Sequence, residues 1–372
     1  MQSRRDECRH KHRVIVKYME QSRLDAVVLT RRCNFAWYTA GGLNHVSTAA
    51  DVGAASLLIT RDRPICITNT IEAPRIGAEE LSGLGIEVQA AAWYDPADAA
   101  RIWSAALGDR RAAADAHVTG LPESVGRLSS DFDTLRRTMT EAEIERYRVL
   151  AREVAECLES ACRQAQPGMT EHQLGSLLSG LLLEREIRAP VVLVAADERV
   201  RRFRHPIPTS RRFERYGMAV ACGERHGLIV SNTRLFSFAP IDDDLRGRHQ
   251  AVCRVDAAMI AATRPGNTLG DVFTAAQRAY ADAGFPDEWT CHHQGGPTGY
   301  VGREVRAAPG HATPVQLNQA FAWNPSIAGT KSEDTILVKT DGNEVMSATG
   351  DWPTGLYEAG GQTWPRCDIL IL

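Results

Sequence analysis

Apolar positions along this chain change period repeatedly, and each change predicts an element. Residues 13–22 carry apolar side chains at helical spacing, and the unbroken apolar run 26–30 reads as a buried strand. Further strands are expected at 55–60, 64–68 and 86–90, with helices between them near 71–81 and 96–107. Short strands separated by helices predict an α/β domain over residues 1–135. The pattern then lengthens. Thr140-Glu141-Ala142-Glu143 has capping-box spacing and opens a periodic helix through about Cys162. Gln166-Pro167-Gly168-Met169-Thr170 precedes a helix ending near Ile187, and Arg264-Pro265-Gly266-Asn267-Thr268 precedes one ending near Phe285. So long an offset suggests two related α+β halves rather than a solenoid; Pro-Gly before a helix cap is also common punctuation.

Composition narrows the class. The chain has 372 residues, 44% hydrophobic and 24% charged, with net charge −3. Two domains are expected from the length, and nothing in the charge balance invites nucleic acid or an anionic membrane. Nine cysteines with no C-x-x-C fit reduced thiols better than a disulfide framework. No apolar run reads as a signal peptide or membrane span, so a cytoplasmic location is expected.

Several pieces then fall in one order. Asn34-Phe35-Ala36-Trp37-Tyr38-Thr39-Ala40-Gly41-Gly42, the stretch Leu135 to Ile144, the two Pro-Gly-x-Thr helices, His205, Ser231-Asn232-Thr233-Arg234, His292 to Gly299 and Lys331-Ser332-Glu333-Asp334 resemble the creatinase/aminopeptidase P superfamily. That resemblance implies an α/β N-terminal creatinase-like domain (1–135). It is followed by an α+β pita-bread catalytic domain (136–372) with internal pseudo-two-fold symmetry. It also implies a homodimer in which the N-terminal domain, through Asn44 and His45, caps the partner's pocket.

In the metallopeptidase members of that family, two Asp, one His and two Glu hold two metals. The resemblance carries those positions onto Val220, Ser231, Gly296, Asn324 and Glu333. One carboxylate of five is a poor dinuclear site, because paired metals need several oxygen donors. A metal-free member with no cofactor is therefore expected.

The remaining polar residues suggest what chemistry survives. By the resemblance, His205, in Arg202-Phe203-Arg204-His205-Pro206, is the general acid/base; a histidine suits the task because it titrates near neutral pH. His292 and Glu333 join it as catalytic candidates. Arg303 is expected to clamp a substrate carboxylate, with Ser231, Asn324, His293, Tyr300 and Arg204 lining the pocket. Lys331 and Arg303 are candidate cations for Glu333. Trp323 and Trp352 read as core more readily than as stacking platforms. The expected function is metal-independent hydrolysis of a C–N bond, or related acid/base chemistry, on a small carboxylate-bearing substrate. The alternatives are a non-catalytic pseudo-peptidase binding a peptide or small acid, and a residual metal-dependent Xaa-Pro peptidase.

Overall fold

The computed structural model describes residues 3–372. They form two compact units, one ending at Arg136 and including His226–Leu228, the other comprising Arg137–Arg225 and Ile229–Leu372.

The first unit opens with α1 (Arg4–Ser22), capped by the Ser3 side chain, which accepts from the Asp6 N–H. This helix starts nine residues before the apolar spacing does. The reason is a buried ion pair: Lys11 Nζ lies 2.6 Å from Glu7 Oε1 and donates to the Trp37 carbonyl, so charged side chains hold the first turns. Then follow β1 (Ala26–Arg31), α2 (Arg32–Tyr38), β2 (Val52–Thr60), β3 (Pro64–Asn69), α3 (Ala73–Arg75) running into a π turn, β4 (Glu87–Ala91), α4 (Pro96–Leu107), β5 (Ala112–Ala114) and β6 (Gly126–Arg127). The six strands make one mixed sheet in the order β4-β3-β2-β1-β5-β6. The expected strands and α4 are present. β5 is three alanines and β6 two residues, too short and bland to leave a hydrophobic signature.

The second unit begins with α5 (Glu141–Arg163), where Thr140 and Glu143 complete the expected capping box. Next come α6 (Glu171–Leu183), β7 (Arg188–Ala196), α7 (Glu198–Arg202), β8 (Tyr216–Arg225) and β9 (Leu228–Ser237). The pattern then repeats with α8 (Asp243–Ala262), α9 (Leu269–Asp282), β10 (Gly295–Thr298), β11 (Ala320–Trp323), β12 (Ser326–Ile327), β13 (Thr330–Lys331), β14 (Asp334–Leu337) and β15 (Glu344–Val345). Thr170 and Thr268 each form a reciprocal capping box, and each also makes an isolated antiparallel bridge, to Arg212 and Pro314 respectively. The two halves are therefore built alike, as the Pro-Gly-x-Thr repeat implied.

Strands β7, β8 and β9 form one sheet, extended by the C-terminal strand, and β10, β11, β14 and β15 form the other. A seam joins them. Thr233 N–H donates to the Glu333 carbonyl at 3.1 Å, and Ser231 N–H donates to Thr335 Oγ1 at 3.1 Å. Behind the seam lies an apolar core that includes Val252, Ile260, Phe273, Phe321 and Trp323. Trp323 is 1% exposed, and its Nε1 donates to Thr263 Oγ1, so it is core and offers no face to a ligand. Burying each such side chain contributes about 1.5–3 kcal/mol, which makes the seam a rigid base for a site.

Candidate functional site

Alternation along β9 places Ser231 and Thr233 on one face and sends Asn232 and Arg234 to the other. On the Ser231 side lies Glu333, whose carboxylate is 3% exposed and surrounded by donors. Lys331 Nζ is 2.7 Å from Oε2, Thr233 Oγ1 donates to the same oxygen at 2.7 Å, and Arg303 Nη2 donates to Oε1 at 2.9 Å. Burial alone would raise this carboxyl. The Lys331 ammonium and the Arg303 guanidinium outweigh it and hold Glu333 down at about 2. Glu333 is thus an ionised carboxylate between two side-chain cations.

Arg303 is more committed than its expected role requires. Its Nη1 donates to Ser231 Oγ at 3.1 Å and to the Gly302 carbonyl, while Nη2 holds Glu333. Its Nε is buried without a partner. The fork expected to clamp a ligand carboxylate is already filled by Glu333. Ser231 Oγ also lies 3.2 Å from Cys222 Sγ, a thiol that burial pushes up. Cys222 was not anticipated; its position two residues after Val220 on the same strand was the available signal.

Three histidines stand beside this cluster. His205 comes from the exposed loop after α7, and His292 and His293 from the segment just before β10. His205 Nε2 and His292 Nε2 are 3.0 Å apart, and His292 Nδ1 lies 3.2 Å from Ser326 Oγ. Burial and then the Lys331 charge push His292 down to about 2, burial and Arg303 push His293 to about 4, and His205 is lowered by burial and Lys331. All three imidazoles are neutral at neutral pH. An open groove of about 500 Å³, lined in part by Phe273, Trp289 and Cys291, reaches His292 and His293 from solvent.

The positions that the family resemblance assigns to metal ligands test whether a dinuclear centre fits. Val220 is packed among Met218, Leu235 and Leu245 in an apolar cluster. At Gly296 the backbone has φ +156°, and a Cβ there would lie 2.0 Å from the Val305 carbonyl oxygen, so no side chain can stand at that place. Asn324 is buried with its Oδ1 unpartnered, and both Glu333 oxygens are bound to cations. Two missing donors and two fixed positive charges do not fit a pair of divalent metals.

Two expected pocket residues turn elsewhere. The Tyr300 hydroxyl donates to Glu143 Oε1 at 2.7 Å, bracing the cap of α5, and Arg204 is ion-paired with Glu288. Both were expected to bind substrate, Arg204 in the stretch that carries His205 and Tyr300 at the end of the segment that carries His292 and His293. Their donors are instead spent on buried or half-buried carboxylates. His205, His292, His293, Ser231, Arg303, Asn324 and Glu333 remain as the candidate site.

Among the described residues no helix is long and apolar enough to cross a membrane. A family model, metallopeptidase family M24, matches residues 145–340. The chain is 24% identical to a probable dipeptidase PepE of Mycobacterium tuberculosis over 368 residues, covering 87% of this chain and 96% of that protein. It is 25% identical over 242 residues to an uncharacterised peptidase of Staphylococcus saprophyticus, covering 60% and 67% of the two chains. An Xaa-Pro dipeptidase structure from Bacillus anthracis superposes with TM-score 0.78 at 17% identity, covering 98% of this chain and all of that one. The match over more than half its length, together with the two-domain pita-bread architecture, shows that the chain belongs to metallopeptidase family M24.

Proposed function

We propose that this M24 member is a hydrolase that works without the dinuclear metal centre and cleaves a C–N bond in a small carboxylate-bearing substrate, with His205 as proton carrier. The observation that carries this reading is the cation pair on Glu333: Lys331 and Arg303 sit on the carboxylate that a metal would otherwise need. Two cations against one carboxylate leave one positive charge in a largely buried pocket. That charge favours an anionic substrate and stabilises negative charge developing on a carbonyl or amidino centre. The unpartnered Arg303 Nε, Asn324 Oδ1 and His293 Nδ1 provide polar contacts that a bound molecule would satisfy.

The histidine pair supports the base. If His292 donates through Nδ1 to Ser326, its Nε2 is an acceptor, and His205 then carries its proton on Nε2; this tautomer is assigned from the hydrogen-bond pattern. His205 Nδ1 is left as the basic lone pair. Water attacks the carbon, its proton passes to His205, and the same proton is delivered to the departing nitrogen as the C–N bond breaks.

The test is turnover of amidino, ureido and N-acyl amino acids and of dipeptides by chelator-treated protein. The expected result is activity that survives dialysis and is lost in His205→Ala. Activity that appears only on adding manganese, cobalt or zinc, or that persists in His205→Ala, would overturn the reading, as would recovery of every ligand unaltered.

A further inference from the structure

We infer that His205, His292 and His293 form a three-imidazole site for one late first-row divalent cation, zinc in the first instance, separate from the dinuclear position. One ligand nitrogen from each of the three lies within 4.8 Å of the others. A tetrahedral zinc with Zn–N bonds of about 2.0–2.1 Å spaces its nitrogens about 3.4 Å apart. The His205 and His292 Nε2 atoms, 3.0 Å apart, are already near that spacing. Rotation of the His293 ring and adjustment of the exposed His205 loop bring in the third.

The surroundings favour this site. His292 is held by Ser326 through Nδ1, which presents Nε2 to the other two rings; metal-binding imidazoles are commonly oriented by such a bond on the far nitrogen. His293 Nδ1 is buried without a hydrogen-bond partner. Three imidazoles with no free carboxylate suit zinc, copper or nickel and disfavour magnesium, calcium or manganese. Lys331 and Arg303 weaken the attraction for any dication, which makes occupancy reversible. The groove along Trp289 leaves the fourth position to water.

The cation takes the place of the proton between the two Nε2 atoms, and that proton moves to His205 Nδ1. Both lone pairs of His205 are then occupied. On the functional reading above, and only on it, bound zinc stops turnover.

The experiment uses the full chain, stripped with chelator and dialysed, and titrated with cobalt(II). One equivalent is expected to bind with the strong visible absorption of a four-coordinate cobalt centre, and zinc should displace it. His205→Ala and His293→Ala should each weaken binding by at least about 100-fold, since losing even an outer-shell partner of a metal ligand costs about 10- to 100-fold. Ser231→Ala, at the dinuclear position, should leave the spectrum unchanged. Far-ultraviolet circular dichroism checks that each variant is folded. Unchanged affinity in both histidine variants, a weak six-coordinate spectrum, or loss of binding in Ser231→Ala would each sink the site. Tight zinc binding with undiminished turnover would leave the site standing and overturn the role given to His205.

Discussion

Glu333 and Asp334 are consecutive carboxylates, 3% and 4% exposed, and the chain sends them to opposite sides of the seam. Asp334 enters a closed network. Its Oδ1 accepts from Arg234 and Ser347 at 3.0 and 2.9 Å, and its Oδ2 accepts from Arg366 at 2.7 Å. Arg234 is paired in turn with Glu159, and Arg366 with Asp256. Glu333 is also fully bonded, to Lys331, Thr233 and Arg303. The two carboxylates share burial and ionic partners and differ in the cations that hold them: Arg234 and Arg366 are each closed by a second carboxylate, whereas Arg303 keeps a buried Nε unpartnered. Buried ion networks of the first kind hold a fold together, whereas unpaired atoms beside a cation pair mark a place where a ligand completes the structure.

Four measurements break or sharpen that contrast. The largest expected effect is on the open side: His205→Ala should lower kcat by about 100- to 10,000-fold, the usual worth of a positioned acid/base. Because His205 lies on an exposed loop, its thermal midpoint should stay put; a parallel loss of stability would mean the residue is structural. On the closed side, Asp334→Asn should cost about 3–5 kcal/mol in urea unfolding, because it leaves Arg234 and Arg366 buried and under-compensated.

Glu333→Gln should cost somewhat less, about 3 kcal/mol by the same reasoning, and should respond to added anions. Acetate or formate can pair with Lys331 and Arg303 and restore part of the loss, with no such rescue in Asp334→Asn. Equal rescue of both variants, or of neither, would erase the distinction between the two clusters.

The smallest effect is on pH. His292 is held at about 2 when folded, against 6.5 when unfolded, so between those values the unfolded chain binds more protons. Its contribution is complete above pH 6.5 and is lost as pH falls. Glu333 adds to the loss below 4.5, its own ordinary value, down to about 2. The unfolding free energy should therefore decline by about 1–3 kcal/mol between pH 6.5 and 4.5. His292→Ala should reduce that slope, leaving the part that His293, lowered to about 4, supplies; an unaltered slope would remove His292 as a source.

Much of this was legible from residues alone. Capping boxes at Thr140, Thr170 and Thr268 are local, since side chain and backbone lie three residues apart, so spacing identifies them. The missing metal donors were equally plain, because valine and glycine offer no ligand atom in any fold. Less legible were features that depend on charge meeting charge across the chain. The buried start of α1 was hidden because Glu7 and Lys11 look like a solvated face until their pairing is seen. Tyr300 and Arg204 lie in the segments that carry the histidines, yet residues of one segment need not share a direction.

The sequence by itself determined the family, the two-part plan and the residue types at the family's ligand positions, Val220 and Gly296 among them, since element spacing and donor chemistry are properties of the residues. Only the tertiary structure decided what surrounds Glu333. Lys331, Arg303 and Glu333 come from two segments, and their charges meet because the seam aligns β9 with the start of β14. The three histidines likewise come from two loops, 87 residues apart at their closest contact. Electrostatic energy falls with distance, and distance across a fold is not written in spacing along the chain.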